Sequence, residues 1–409
     1  MNIVFRLAWR NLWRQPKRTW LTMGAMIFSN ILLVFMMSIQ FGMYGLMIEN
    51  TLKVFTGHVQ VQAPGYNNDK KMRQTVPDIV PLADVLRREL NNERVAARGQ
   101  AFALASSEDR SYGIAIYGVQ PKYEAKVSNI PGLVSEGRYL DDDDAAEIVI
   151  GSVLARNLIV EVGDELTLLG SGVDGSFAAA VVEIVGVFTS GIKEIDRNVA
   201  EIPLGTFQET FFMEGAGHQI SIVGDDLDSV AMLQSDVQSL LPDAINLVVP
   251  DWNDLQPGVR QAIQADMGSA FFMYFILVVL VAFSVLNTQL MSVLERTREF
   301  GIVMSLGLKP GRLGRLVVFE TALMGFMGTV LGILAGAALT AWVGFVGFTI
   351  PGMDEMAMQF NLPARMYPQL SALTLFAGPI VVFFFTMLAS AYPAIRLRWL
   401  HPVEAMRSA

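Results

Sequence analysis

The sequence predicts a membrane protein of four transmembrane α-helices, with a large α+β extracytoplasmic domain between the first and second helices. Three observations carry this reading: four uncharged windows, a lopsided distribution of Lys and Arg, and one long acidic insert. No charged residue occurs from Thr19 to Ile48, from Met267 to Leu294, from Thr321 to Met353 or from Met366 to Ile395. These windows run 28 to 33 residues, whereas a bilayer-spanning helix needs only ~20. They explain why the 409-residue chain is 52% apolar and 17% charged, and they set it apart from ordinary soluble proteins. Buried helices of a large soluble core rarely produce four such windows.

Residues 1–19 read as an amphipathic helix. Phe5, Trp9, Leu12 and Trp13 recur at helical spacing, and Arg6, Arg10, Arg14 and Lys17 form a separate stripe. Such a helix lies in the headgroup layer, with aromatic rings at the interface and cations toward anionic lipid. Pro16 breaks it from the first span, expected over 20–45. The apolar core of that span exceeds the ~7–15 residues of a signal peptide and lacks a convincing cleavage site, which predicts an uncleaved helix.

The insert, 46–266, alternates strand and helix signals. HVQVQA (58–63), YGIAIYGV (112–119), EIVIG (147–151), DELTLLG (164–170), AAAVVEIVGVF (178–188), HQISIVG (218–224) and INLVVP (245–250) are rich in β-branched residues, several with period two. PLADVLRREL (81–90) and DSVAMLQSDVQSLL (228–241) have helical spacing, so 220–249 reads β-α-β. Strand pairing is left open.

After the second span (267–294) comes a short basic segment, 295–315, then a third span (316–348), a loop (349–369), a fourth span (370–395) and a tail (396–409). In the third span Gly328, Gly332 and Gly336 recur every four residues, a smooth face where another helix can approach. Glu320, at its start, is expected to pair with an arginine such as Arg315 or to snorkel; a proton relay is the less favoured alternative.

Charge sets the predicted orientation. Residues 1–19 hold five cations and no acid, and 295–315 holds five against two. Residues 45–266 hold 16 Lys and Arg against 33 Asp and Glu. Both termini and the 295–315 segment are expected in the cytoplasm, and the acidic insert outside. The acidity also argues against a nucleic-acid partner. The chain has no cysteine, so no disulfide braces the insert.

Catalytic and metal signatures are missing. There is no HExxH, CxxC or GxSxG, and His58, His218 and His401 form no ligand pattern. The run DDDD (141–144) lacks the spaced ligands and turn glycine of a calcium loop. The dipeptide Gly-Lys, which a P-loop needs to cradle phosphates, occurs nowhere. The expectation is a non-enzymatic chain; if ATP drives it, another chain hydrolyses the ATP.

RTREFGIVMSLGLKPGRLGRLVVFE (296–320) resembles the segment between the second and third spans of the MacB, LolC/LolE and FtsX superfamily of ABC transporter permeases. Arg298, Glu299, Gly301, Ile302, Ser305, Leu306, Gly307 and Glu320 match its pattern. LARNLIVEVGDELTL (154–168) resembles part of the MacB-like exterior domain through Leu154, Ala155, Leu158, Gly163 and Asp164. The tail is similar through Pro393, Ala394, Pro402, Glu404 and Ala405. The size of the insert and the stretch 248–266 look closest to the lipoprotein-releasing LolC/LolE branch.

The resemblance implies a multi-pass bacterial inner-membrane permease subunit. It would be paired with a second copy or a paralogue and bound to a dimer of cytoplasmic ABC ATPase subunits that carry ATP and Mg, with no cofactor on this chain. ATPase-coupling residues are then Arg296, Arg298, Glu299, Gly301, Ile302, Ser305, Leu306 and Gly307, with Glu299 and Gly301 at the core of the contact. The implied work is release of a lipoprotein or other amphipathic cargo, with a periplasmic carrier as a further partner. Alternatives are MacB-like efflux and FtsX-like signalling to an exterior hydrolase.

Overall fold

The computed structural model describes residues 3–52, 56–227, 229–242, 246–349 and 365–397. Pro402, Glu404, Ala405 and His401 lie outside them. One compact unit gathers the long helices; the other is the insert, Gly45–Ala262.

Among the described residues, four helices are long and apolar enough to cross a membrane. The first span is Pro16–Thr51, the second Pro257–Glu295, the third Pro310–Val346 and the fourth Ala372–Arg396. Proline opens the first three, where a missing N–H costs nothing and its fixed φ suits a helix start. Ser371 opens the fourth with a capping box shared with Thr374. An amphipathic helix, Ile3–Leu12, precedes the first span, and a short helix, Thr297–Ser305, joins the second to the third.

Glycine sets how closely these helices approach. A β-carbon at Gly328 would fall 3.0 Å from the Met26 Cβ, one at Gly332 2.5 Å from the Asn30 Cβ, and one at Gly336 3.1 Å from the Val34 Cβ. The four-residue repeat of the third span therefore runs along a matching repeat on the first. Gly325 meets the Phe383 ring and Gly314 the Ala394 carbonyl in the same way, which seats the fourth span. Large side chains such as Leu21, Phe272 and Phe345 stay exposed, as lipid-facing positions do.

The insert is an α+β domain with one nine-stranded sheet. Its strands are β1 (Val59–Gln62), β2 (Val95–Ser106), β3 (Ser111–Val119), β4 (Val134–Gly137), β5 (Glu147–Gly151), β6 (Glu165–Ser171), β7 (Phe177–Phe188), β8 (Val199–Pro203) and β9 (Gln219–Ile222). The order is β1-β9-β2-β3-β8-β5-β7-β4, with β6 pairing both β2 and β7. Pairing from β2 through β3, β8, β5, β7 and β6 thus returns to β2, a closed circuit. Ile116, Ile150, Leu166, Leu168, Ile184 and Phe207 belong to one fully buried core. Helices Ile79–Glu89 and Val230–Leu240 pack on β1, β9 and β2 through a second.

Three sequence expectations change here. Residues 246–250, the described part of INLVVP, form no strand: Val248 makes only an isolated bridge with Gln62, so the β-α-β reading ends after its helix. His58 and His218 stand just before β1 and β9 rather than within them. Both are buried and structural: His58 Nδ1 accepts from the Gly224 N–H, and His218 Nδ1 from the Gln100 N–H. Strands β2, β4 and β8 were not expected.

Candidate coupling site

The second span ends at Arg296, whose backbone leaves the helical region at φ −99°, ψ 8°. The chain re-enters a helix at Thr297 and stops at Gly307. That residue has φ +96°, a left-handed conformation in which a side chain is strained. The Gly307 N–H donates to the Met304 carbonyl at 3.0 Å and the Leu308 N–H to the Val303 carbonyl at 3.3 Å, which satisfies the last turn. Lys309 is extended and Pro310 starts the third span. Gly307→Ala is expected to cost about 1–2 kcal/mol, read as a lower thermal midpoint in detergent. Gly311→Ala, inside a helix where a β-carbon meets nothing within 4 Å, serves as control and should not lower the midpoint.

The short helix has two faces. Phe300, Gly301 and Met304 are buried; Phe300 and Met304 pack with Val293, Leu313, Val317 and Leu397. On the opposite side Arg298, Ile302, Ser305 and Leu306 are exposed at helical spacing. Ile302 is 49% and Leu306 82% accessible, unusual for apolar residues next to a packed core.

A polar layer anchors the buried side. Arg296 reaches both Glu320 carboxylate oxygens at 3.2 Å, and the Asn11 amide donates to Glu320 Oε1 at 2.6 Å. Glu299 accepts from Arg14 through two bonds of 2.8 and 3.1 Å. Arg18 bonds Glu295 at 3.0 Å and also Ser292. These groups line a cavity of about 210 Å³ with Thr22 and Gln289. The expected partner of Glu320, Arg315, is exposed and takes no part; Arg296 holds the acid instead. The pairs differ in weight. Arg14 and Glu299 side chains are 64% and 45% accessible, and such pairs contribute ~0–1 kcal/mol. Arg296 and Glu320 are 16% and 8% accessible, so losing either strands a desolvated charge.

A model of the MacB-like periplasmic core domain matches residues 19–240, and one of the FtsX-like permease C-terminal matches residues 271–402. The first alone covers more than half of the chain. The chain belongs to the MacB/FtsX family of ABC transporter permeases. The lipoprotein-releasing system transmembrane protein LolC of Xylella fastidiosa is 26% identical over 306 residues, 71% of this chain and 72% of that one. LolE of Haemophilus influenzae is 26% identical over 323 residues, 75% of each. The crystal structure of the periplasmic region of MacB from Actinobacillus actinomycetemcomitans aligns at 15% identity and TM-score 0.37, covering 53% of this chain and 97% of that one. Members of this family are permease subunits that work with cytoplasmic ATPases.

In the permease, the eight residues expected at the ATPase contact separate. Arg298, Ile302, Ser305 and Leu306 share the exposed face. Gly301 is buried, Arg296 and Glu299 are engaged within the chain, and Gly307 shapes the turn. Of the two expected at the core of the contact, Gly301 is buried and Glu299, 45% accessible, bonds Arg14. Leu12 also moves: it is buried against Met23 and Met324 and belongs to helix packing. Phe5, Trp9 and Trp13 remain exposed, with Trp9, Trp13 and Trp20 in successive edge-to-face contacts near 6 Å. Sequence reading missed Asn11, Arg14 and Arg18 as parts of the polar layer. Their one signal was an arginine stripe that also suits lipid.

Proposed function

We propose that this permease passes motion from a separate cytoplasmic ATPase to its insert domain, with Arg298, Ile302, Ser305 and Leu306 as the docking face. The observation that carries this reading is the two-faced short helix. An exposed apolar pair stands on an element pinned from behind by a packed core and by Glu299 and Glu320. A push on Ile302 and Leu306 would be felt by the second span, which joins this helix directly, and by the third span through Arg296. Arg14 would draw the amphipathic helix along. The reading places 295–315 and both termini in the cytoplasm and the insert in the periplasm, supported by the Lys and Arg distribution. ATP and Mg belong to the partner, and a second copy or a paralogue completes the transporter.

The cargo we infer is a lipoprotein or a similar amphipathic molecule. Its support is the likeness to LolC and LolE, which are described as parts of lipoprotein-releasing systems.

The test is the double substitution Ile302→Asp, Leu306→Asp. Co-purification of the cognate ATPase should be lost and permease-stimulated ATP hydrolysis should fall at least tenfold, with the thermal midpoint kept. Unchanged binding and stimulation would overturn the docking face. Single cysteines at Ser152 and Ser305 test orientation: a membrane-impermeant thiol reagent should label only the first in intact cells. Mass analysis of the ATP-free complex should find lipid-linked polypeptide bound, and its absence counts against the cargo class.

A further inference from the structure

We infer that the permease holds an anionic phospholipid in a groove between the third and fourth spans, at their charged ends. The groove has a volume of about 500 Å³, within the ~300–1,000 Å³ of ligand sites. It is lined by Lys309, Arg312 and Arg315 at the start of the third span, by Val318 and Phe319 further along it, and by Ile395 of the fourth span. Gly314 and Ala394 lie between, where the two helices touch: a β-carbon at Gly314 would stand 3.0 Å from the Ala394 carbonyl oxygen.

The order of these residues is what selects a phospholipid. Arg312, Arg315 and then Val318 and Phe319 follow one face of one helix at i, i+3, i+6 and i+7. With 1.5 Å of rise per residue, charge gives way to hydrocarbon over roughly 10 Å. That is the polarity of a glycerophospholipid met at the headgroup layer, phosphate first and acyl chain below. Among the described residues no carboxylate lines the groove. Among the described residues none of the three cations is ion-paired, while Arg14, Arg18 and Arg296 of the same helical unit are each paired with an acid. Three unneutralised cations beside hydrocarbon favour an anionic headgroup. Phe319 is 46% and Ile395 47% accessible, which an acyl chain would cover and a soluble acidic surface would not.

The test uses the full chain purified in neutral detergent. In native mass spectrometry it should retain dioleoyl phosphatidylglycerol that dioleoyl phosphatidylcholine does not displace. Lys309→Gln, Arg312→Gln, Arg315→Gln together should weaken that retention at least tenfold. Arg6→Gln, Arg10→Gln, on the other basic stripe, should leave it in place. Equal retention by the triple variant, displacement by phosphatidylcholine, or displacement by millimolar inorganic phosphate overturns the proposal. A measurement on the unmodified chain guards against a misfolded variant. Phosphatidylglycerol with a photoreactive acyl chain should crosslink to peptides holding Phe319 or Ile395, and crosslinks confined to other helices overturn it as well.

Discussion

Arg296→Met is expected to destabilise the helical unit by about 3–5 kcal/mol, because it leaves Glu320 buried without its cation. Among the described residues Asn11 would remain as the only donor to that carboxylate, and one neutral amide does not replace a guanidinium. Arg296 also caps the Phe300 ring at 5.0 Å and stands 3.6 Å from Glu299, so the short helix should loosen in the same variant. The double substitution Arg296→Met, Glu320→Met should recover most of the loss, since apolar pairs of similar volume often replace buried ion pairs at no cost. Arg14→Ala, which breaks an exposed pair, should cost ~1 kcal/mol or less. Thermal unfolding of the four proteins in one detergent checks this. Equal losses for Arg296→Met and Arg14→Ala would remove the distinction between the pairs.

The second large effect is the pH response of the insert. Arg98 and Glu124 form a fully buried ion pair, and Glu201, also fully buried, accepts a 2.6 Å bond from Tyr139 while its other oxygen has no partner. Burial, aided by the Glu124 charge, pushes the Glu201 carboxyl from 4.5 up to about 8. Its contribution to stability is therefore complete below pH 4.5 and lost as pH rises through 8. Burial lowers His218 from 6.5 to about 4, so its contribution is complete above pH 6.5 and lost as pH falls toward 4. The two slopes cancel between 4.5 and 6.5. Stability should then be flat across that window and fall by about 2 kcal/mol between pH 6.5 and 8, at about 1.4 kcal/mol per pH unit. Glu201→Gln should abolish the alkaline fall and raise stability at pH 8 by roughly 3 kcal/mol. Hydrogen exchange of β8 peptides in the full chain reads this directly. An unchanged alkaline slope in the variant would show that another group titrates.

The four spans were legible because an apolar run of such length has one structural use. Most strands were legible where β-branched residues alternate, as in β5 and β7. β2 was not: eight of the twelve residues of VAARGQAFALAS are Ala, Gly, Arg or Gln, and its partners on both edges make it a strand. INLVVP erred the opposite way: its described residues lie along the outer edge of β1 but bond it only at Val248 and Pro250, too few rungs for a strand. The coupling segment was located by its motif and charge, but its orientation was not. Apolar residues surround that helix, so periodicity cannot say whether Gly301 or Leu306 faces outward. Glu320 was assigned the nearer arginine because sequence distance was the only guide; packing of the third span selected one 24 residues away.

The closed strand circuit sets a timetable for making this protein. β1 must find β9, pairing Val59 with Ile222 and Gln62 with Gln219, and β3 must find β8, pairing Ala115 with Val199. The seam that shuts the ring, Leu104–Ser106 against Thr167–Leu169, is three residue pairs long. With no cysteine to hold partial structure, and with such non-local pairing slow to form, the first span is synthesised well before its neighbouring domain can close. A truncated or stalled chain ending before β9 would leave strands β1 and β2 unpaired along one edge, an adhesive surface prone to pairing with other chains.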